Sequence, residues 1–198
     1  ITADLLVSTL RGESYGIVVR DWTALPDQVA AVQALRERFR SQLGRLLIRN
    51  QIIPRAETET LLSLIRDPLG PRVVLLHGAA GTGKSGVLYE AAGQLMTEGV
   101  CVIPFRLDNA LPSGSLYRYS RDHLMLPDTP ARCAARLSPL RKAVVIVDQL
   151  DAVRWSGPHS TSAWDVTLEL LDAAHSAPNL TVVVACRTFD LEDDLFDA

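Results

Sequence analysis

The stretch Gly78-Ala79-Ala80-Gly81-Thr82-Gly83-Lys84-Ser85 fits the pattern G-x-x-x-x-G-K-[ST] at every position. Its three glycines let the backbone curl until consecutive N–H groups point inward, and a helix opening at Lys84 adds the partial positive charge of its N-terminus. A concave row of donors of this kind holds a polyphosphate. Lys84 is one of only two lysines in the chain, the other being Lys142, and arginine carries the remaining positive charge. The choice has a physical reason: a slim ammonium on a flexible stem reaches β- and γ-phosphates inside such a loop, whereas a flat guanidinium is wider and needs fork-shaped partners. Ser85 follows with a hydroxyl suited to Mg²⁺. Gly78 through Gly86 is therefore the predicted nucleotide-contacting segment.

A loop of this kind works with a carboxylate that holds Mg²⁺, and the place for it is the end of a neighbouring buried strand. Val144-Val145-Ile146-Val147-Asp148 supplies one, so Ser85 and Asp148 are the expected magnesium ligands. Gln149 stands where many ATPases carry a second acid. That leaves Asp151 either to polarise an attacking water or to cap the segment that follows. A further apolar run, Thr181 to Ala185, leads into Cys186 and Arg187. Arg187 either reaches a γ-phosphate and reports its presence or is a surface arginine. No N-K-x-D guanine-reading signature occurs, which favours ATP over GTP.

The elements that must position these groups follow from apolar periodicity. Val73 to Leu76, Val100 to Phe105, Ala143 to Val147 and Leu180 to Ala185 read as strands. Helices are predicted over Lys84–Thr97, Pro130–Leu137 and Ala163–His175. Strands apolar on both faces and alternating with helices imply an α/β three-layer sandwich around a parallel sheet. The strand and helix between the glycine loop and Asp148 suggest the type with an additional strand, Thr181 to Ala185, beside the Asp148 strand. Ahead of this core, Val29, Val32, Leu35, Phe39, Leu43, Leu46 and Leu47 form one face of a helix predicted over Asp27–Asn50. Its other face carries Arg36, Arg38, Arg40, Arg45 and Arg49, either solvated or touching phosphate. A short helix over Ala56–Arg66 ends at Asp67-Pro68. Arg106 to Thr129, rich in Pro, Gly, Ser and Tyr, is expected to be an irregular loop. Residues 1–50 are assigned to a linker or the tail of a preceding domain, and 51–198 to the core.

With 198 residues and 47% hydrophobic content, the chain can bury one sizeable core. A net charge of -3 gives no broad field for nucleic acid or anionic membrane. No apolar run approaches the roughly 20 residues that cross a bilayer, and no basic stretch leads an apolar one at the N-terminus. Cys101, Cys133 and Cys186 are widely spaced and odd in number, which favours buried thiols in a reducing, cytoplasmic setting over disulfides or zinc. The chain begins at Ile1 and ends in the acidic DLEDDLFDA, so a piece of something larger is expected.

Three segments together resemble the STAND class of P-loop NTPases, signal-transduction ATPases related to AAA+ proteins. They are GAAGTGKS, VVIVDQLDAV from Val144 to Val153, and VVVACRTFDLEDD from Val182 to Asp194. The last two are similar to a bacterial branch whose Walker B motif reads D-Q-L-D and whose sensor strand runs into C-R-x-F-D-L. LMLPDTPARCAARL, Leu124 to Leu137, is similar to the segment that precedes Walker B there. The resemblance covers about Pro54 to Ala198. It implies that Lys84 and Thr82 contact phosphate, Ser85 and Asp148 handle Mg²⁺, Asp151 assists water, and Arg187 is the first sensor. Ile53-Pro54-Arg55 resembles the stretch that lies near the adenine in this class, which makes Arg55 a nucleotide contact. The class further implies slow, regulatory ATP hydrolysis: ADP holds a closed monomer, and ATP permits homo-oligomerisation that activates a fused effector, often in anti-phage defence. A fifth strand, the helical and winged-helix parts, sensor repeats and an effector are not found in this chain's sequence.

Other classes compete with this reading. A small-molecule kinase uses the same loop and would need a lid, for which Tyr117, Arg118, Tyr119 and Arg121 are the material. An AAA+-like ATPase that remodels nucleic acid would use the arginine-bearing helix, against the acidic overall charge. A scaffold that binds nucleotide without turnover is suggested by Gln149.

Overall fold

The computed structural model describes residues 26–45, 53–112, 114–154, 160–177 and 179–188. Helix α1 (Pro26–Gly44) opens on a proline, whose fixed φ suits a first turn. It buries Val32, Leu35, Phe39 and Leu43 at helical spacing. Of the longer helix expected to Asn50, residues 46–50 lie outside the described residues, and Gly44 ends the helical part. Helix α2 (Ala56–Arg66) carries Glu57 and Glu59 in its first turn and Arg66 in its last, matching the helix dipole. Lys142, the second lysine, closes its far end by donating to the carbonyls of Ile65 and, at 2.8 Å, Asp67.

Then follow β1 (Val73–Gly78), α3 (Lys84–Thr97), β2 (Cys101–Arg106), α4 (Leu116–Tyr119), α5 (Pro130–Leu137), β3 (Ala143–Asp148), α6 (Asp151–Arg154), α7 (Ser160–Ser176) and β4 (Leu180–Arg187). The four strands form one parallel sheet in the order β1-β4-β3-β2. This is the α/β architecture expected, with β4 inserted between the strand of the glycine loop and the strand of Asp148. The two-residue period of a strand sends alternate side chains to opposite faces. Val145, Val147, Val182 and Val184 join α5 and α7 in one core cluster, while Val144, Ile146 and Val183 join α2 and α3 in the other.

Helix α1 belongs to both clusters: Val32 and Leu35 enter the first, Phe39 and Leu43 the second. It thus wraps the open edge of β2. Between those pairs Arg36 turns inward and donates from Nε to the Val102 carbonyl at 2.7 Å. The solvated reading of this arginine is corrected accordingly, because an unpaired edge carbonyl offers the guanidinium a better acceptor than water at a crowded helix face. Pro104, two residues beyond Val102, directs its missing N–H to the same open side, so no ladder bond is lost. Gln28 is fully buried and donates to the Cys133 carbonyl at 2.9 Å, fixing α1 to α5. Although sequence groups α1 with residues 1–50, it is packed on the sheet that follows.

The segment expected to be an irregular loop is more ordered than its composition suggests. It holds a 3₁₀ turn (Leu107–Asn109), α4 and a π-helical turn (Ser120–Leu124). Leu116, Tyr119, Leu124 and Leu126 are buried against the first cluster, and their burial overrides the Pro and Gly content. Helix α7 begins at Ser160, ahead of the expected Ala163. All three cysteines are buried, and none is in a disulfide. No described helix is long and apolar enough to cross a membrane.

Candidate functional site

A parallel sheet brings the C-terminal ends of all its strands to one edge. Register places Gly78 at the end of β1 opposite Arg187 at the end of β4, and Arg106 at the end of β2 opposite Asp148 at the end of β3. The glycine loop leaves β1 at this edge and enters α3. Gly81 and Gly83 have φ of 78° and 90°, the left-handed region that side chains disfavour. At Gly83 a second constraint applies: an added Cβ would lie 2.6 Å from the Arg55 guanidinium. Arg55 precedes α2, and α2 is tied to α3 by the Thr58 hydroxyl donating to Glu90 at 2.9 Å. This is what lays Arg55 across the loop.

Inside the loop, the Lys84 ammonium donates to the carbonyls of Gly78 at 2.7 Å and Ala79 at 2.9 Å. It therefore points into the concavity rather than away to solvent. The Thr82 hydroxyl donates to the Ala79 carbonyl at 2.9 Å. Around Gly86, an expected contact, there is open space where a Cβ would stand. Ser85, one residue into α3, donates to Asp148 Oδ2 at 2.9 Å and so joins the loop to β3.

Asp148 is 1% exposed. Burial pushes its pKa above the ordinary carboxylate value, and three groups oppose the shift: the Ser85 hydroxyl, the Arg106 charge and the Gln149 N–H, which donates at 3.0 Å. A buried carboxylate beside a hydroxyl is a hard oxygen pair suited to Mg²⁺. Among the described residues no three His, Cys, Asp or Glu side chains gather into a metal cage. Ion binding here would rely on Ser85, Asp148, water and phosphate oxygens, which is how Mg²⁺ is usually held.

After Asp148 the chain turns sharply. Gln149 has φ of 64°, and the Leu150 N–H donates to the Ala185 carbonyl of β4 at 2.9 Å. This turn carries Asp151 across to β4, where the Arg187 guanidinium meets it at 2.9 Å, with Asp151 6% and Arg187 46% exposed. The two residues with alternative sequence readings are thus paired with each other. Ser85 and Asp148 form one contact, Arg187 and Asp151 a second, and Arg55 and Gly83 a third. Arg106 and Asp108 were not anticipated. The legible signal was a strand ending in a charge, Val102-Ile103-Pro104-Phe105-Arg106, the same form that singled out Asp148.

No protein-family model matches the chain, and no curated protein matches it. Three solved structures are similar to it in fold. One is a DNA replication initiation factor at 15% identity and TM-score 0.44, over 71% of this chain and 39% of that one. Another is AMPPCP-bound DnaA from Aquifex aeolicus at 14% and 0.47, over 75% and 44%. The third is the replication initiator DnaA bound to AMPPCP and single-stranded DNA, at 14% and 0.46, over 74% and 43%. The chain spans less than half the length of each, and at these identities the likeness is one of fold alone.

Proposed function

We propose that the chain is the ATP-binding and hydrolysing module of a STAND-type regulatory protein, in which the bound nucleotide sets a conformational switch. The observation that carries this reading is the 2.9 Å hydrogen bond from Ser85 to the buried Asp148, beside a loop into which Lys84 donates. A chance glycine turn has no reason to bury a carboxylate against the second residue of its helix. With ATP bound, Lys84 exchanges the Gly78 and Ala79 carbonyls for phosphate oxygens, and the loop N–H groups orient the polyphosphate. Mg²⁺ at Ser85 and Asp148 would supply charge neutralisation at the phosphates. Arg55, lying on Gly83, borders the nucleotide on the side of α2.

Arg187 and Asp151 take complementary parts. Arg187 exchanges its partner Asp151 for the γ-phosphate, and the released Asp151 carboxylate orients the attacking water. This makes hydrolysis slow and tied to the sensing step, as a regulatory rather than metabolic ATPase requires. Cytoplasmic location, homo-oligomerisation in the ATP state, and effector and sensor domains fused outside this chain complete the proposal, with anti-phage defence as the setting. The test is nucleotide content and turnover of the purified protein beside Lys84→Ala and Asp151→Asn. Bound nucleotide with slow turnover is expected, lost in the first variant and with turnover alone lost in the second. Unchanged turnover in Asp151→Asn would refute the role of that carboxylate.

A nucleic-acid remodelling ATPase receives less support from the geometry. Of the arginines it needs on α1, Arg36 is turned inward and donates to Val102, while Arg38, which is exposed, is engaged by the His123 carbonyl at 3.1 Å. The kinase reading loses Tyr119 as lid material, since that side chain is buried and donates to the Ala110 carbonyl at 3.1 Å.

A further inference from the structure

Arg106 holds a full charge where the protein leaves it little water: its side chain is 10% exposed. Two of its nitrogens are committed to one partner, with Nε donating to Asp108 Oδ1 at 3.0 Å and Nη2 to Oδ2 at 2.7 Å. The third, Nη1, stands 3.8 Å from Asp148 Oδ2, the oxygen that accepts from Ser85. That distance is too long for a hydrogen bond, so Arg106 acts on Asp148 through charge alone. The fork to Asp108 fixes the guanidinium at this stand-off. Asp108 is itself 39% exposed and lies in the turn immediately after β2, so the pair is built by three consecutive residues at the strand tip.

Two carboxylates and one guanidinium leave this corner of the site with one net negative charge. A dication approaching Asp148 by itself meets a carboxylate partly compensated by Arg106 and must give up tightly held water. A dication arriving with a polyphosphate brings further negative oxygens with it, and the balance reverses. We propose that Arg106, held by Asp108, is a positioning residue that withholds Asp148 from free divalent cations, so that the site takes up metal only together with a nucleotide. The inference rests on the reading that Ser85 and Asp148 hold the metal. It adds that metal loading is conditional, and it assigns the condition to a residue outside both sequence motifs.

Mn²⁺ titration followed by the electron paramagnetic resonance of the free ion tests this without reference to turnover. In nucleotide-free protein, Arg106→Gln is expected to bind Mn²⁺ at least about tenfold more tightly than wild type, since removing one unit charge 3.8 Å away shifts affinity by this order. Arg106→Lys, which keeps the charge, is expected to stay near wild type. Arg106→Gln combined with Asp108→Asn restores the net charge and is expected to return toward wild type. Asp108→Asn alone, which leaves Arg106 unneutralised, is expected to weaken Mn²⁺ binding to the nucleotide-free protein severalfold without weakening binding of Mn²⁺ with ATP, and the opposite pattern overturns the proposal should Arg106→Gln fail to fold. Unchanged or weaker Mn²⁺ binding in Arg106→Gln overturns the proposal, provided that Asp148→Asn lowers binding of Mn²⁺ with ATP. If Asp148→Asn leaves that binding intact, the metal reading itself fails, and the role of Arg106 with it.

Discussion

Lys84 donates twice within the glycine loop, Gly83 holds a left-handed φ, and Asp148 is a buried carboxylate. A charged hydrogen bond contributes about 1.5–3 kcal/mol, so Lys84→Ala is expected to weaken ATP binding by roughly ten- to a hundredfold, measured by calorimetric titration. Gly83 sits at φ of 90° with Arg55 2.6 Å from the position of a Cβ. Gly83→Ala should destabilise the fold by about 1–3 kcal/mol through its left-handed φ, with little of the loss recovered in the double variant Arg55→Ala/Gly83→Ala because the Arg55 tip can swing aside, as urea unfolding would register. Asp148 gives a pH prediction. Burial raises its pKa, so the folded chain holds this proton more tightly than the unfolded one. The stability contributed is present below the unfolded pKa and is lost as pH rises through the folded value. At pH 7 the buried carboxylate is thus a burden, and Asp148→Asn is expected to raise the melting temperature while reducing nucleotide binding. The gain should shrink toward pH 4; calorimetry at the two pH values checks both parts.

Among elements, the sheet was the most legible and its margins the least. Four apolar runs became four parallel strands; β2, β3 and β4 are buried on both faces and so read as nearly unbroken apolar runs, whereas β1 is only half-buried, with Leu75 exposed. The glycine loop and Asp148 were legible for a related reason: each interrupts such a run with residues that packing alone does not favour. What composition could not convey was how edges are closed. Arg36 reads as one of several arginines on a polar face, yet its partner is a backbone carbonyl of β2, and a carbonyl leaves no mark in sequence. The stretch after β2 was missed for a different reason: its Pro, Gly, Ser and Tyr are scattered without an apolar period, while four buried apolar side chains decide its structure. The pairing of Arg187 with Asp151 depends on the turn at Gln149, whose positive φ no sequence rule for glutamine foretells. An experiment at this scale is Leu35→Ala on α1, which should cost about 2–5 kcal/mol if α1 is an integral part of the core. A cost below 1 kcal/mol would instead mark α1 as an accessory.

For the molecule as a whole, the claim is that one edge of a four-stranded sheet gathers a phosphate loop, a metal-holding carboxylate and an ion pair ready to change partners. Such a site links ligand to stability, because nucleotide bound by the folded chain alone adds RT ln(1 + [L]/Kd), about 2.7 kcal/mol at a hundredfold excess over Kd. Thermal unfolding with increasing ATP and Mg²⁺, in wild type beside Lys84→Ala, tests that claim most directly. The expected result is a melting temperature that climbs with nucleotide concentration in wild type and stays nearly level in the variant. No climb in wild type, or the same climb in both, would contradict it.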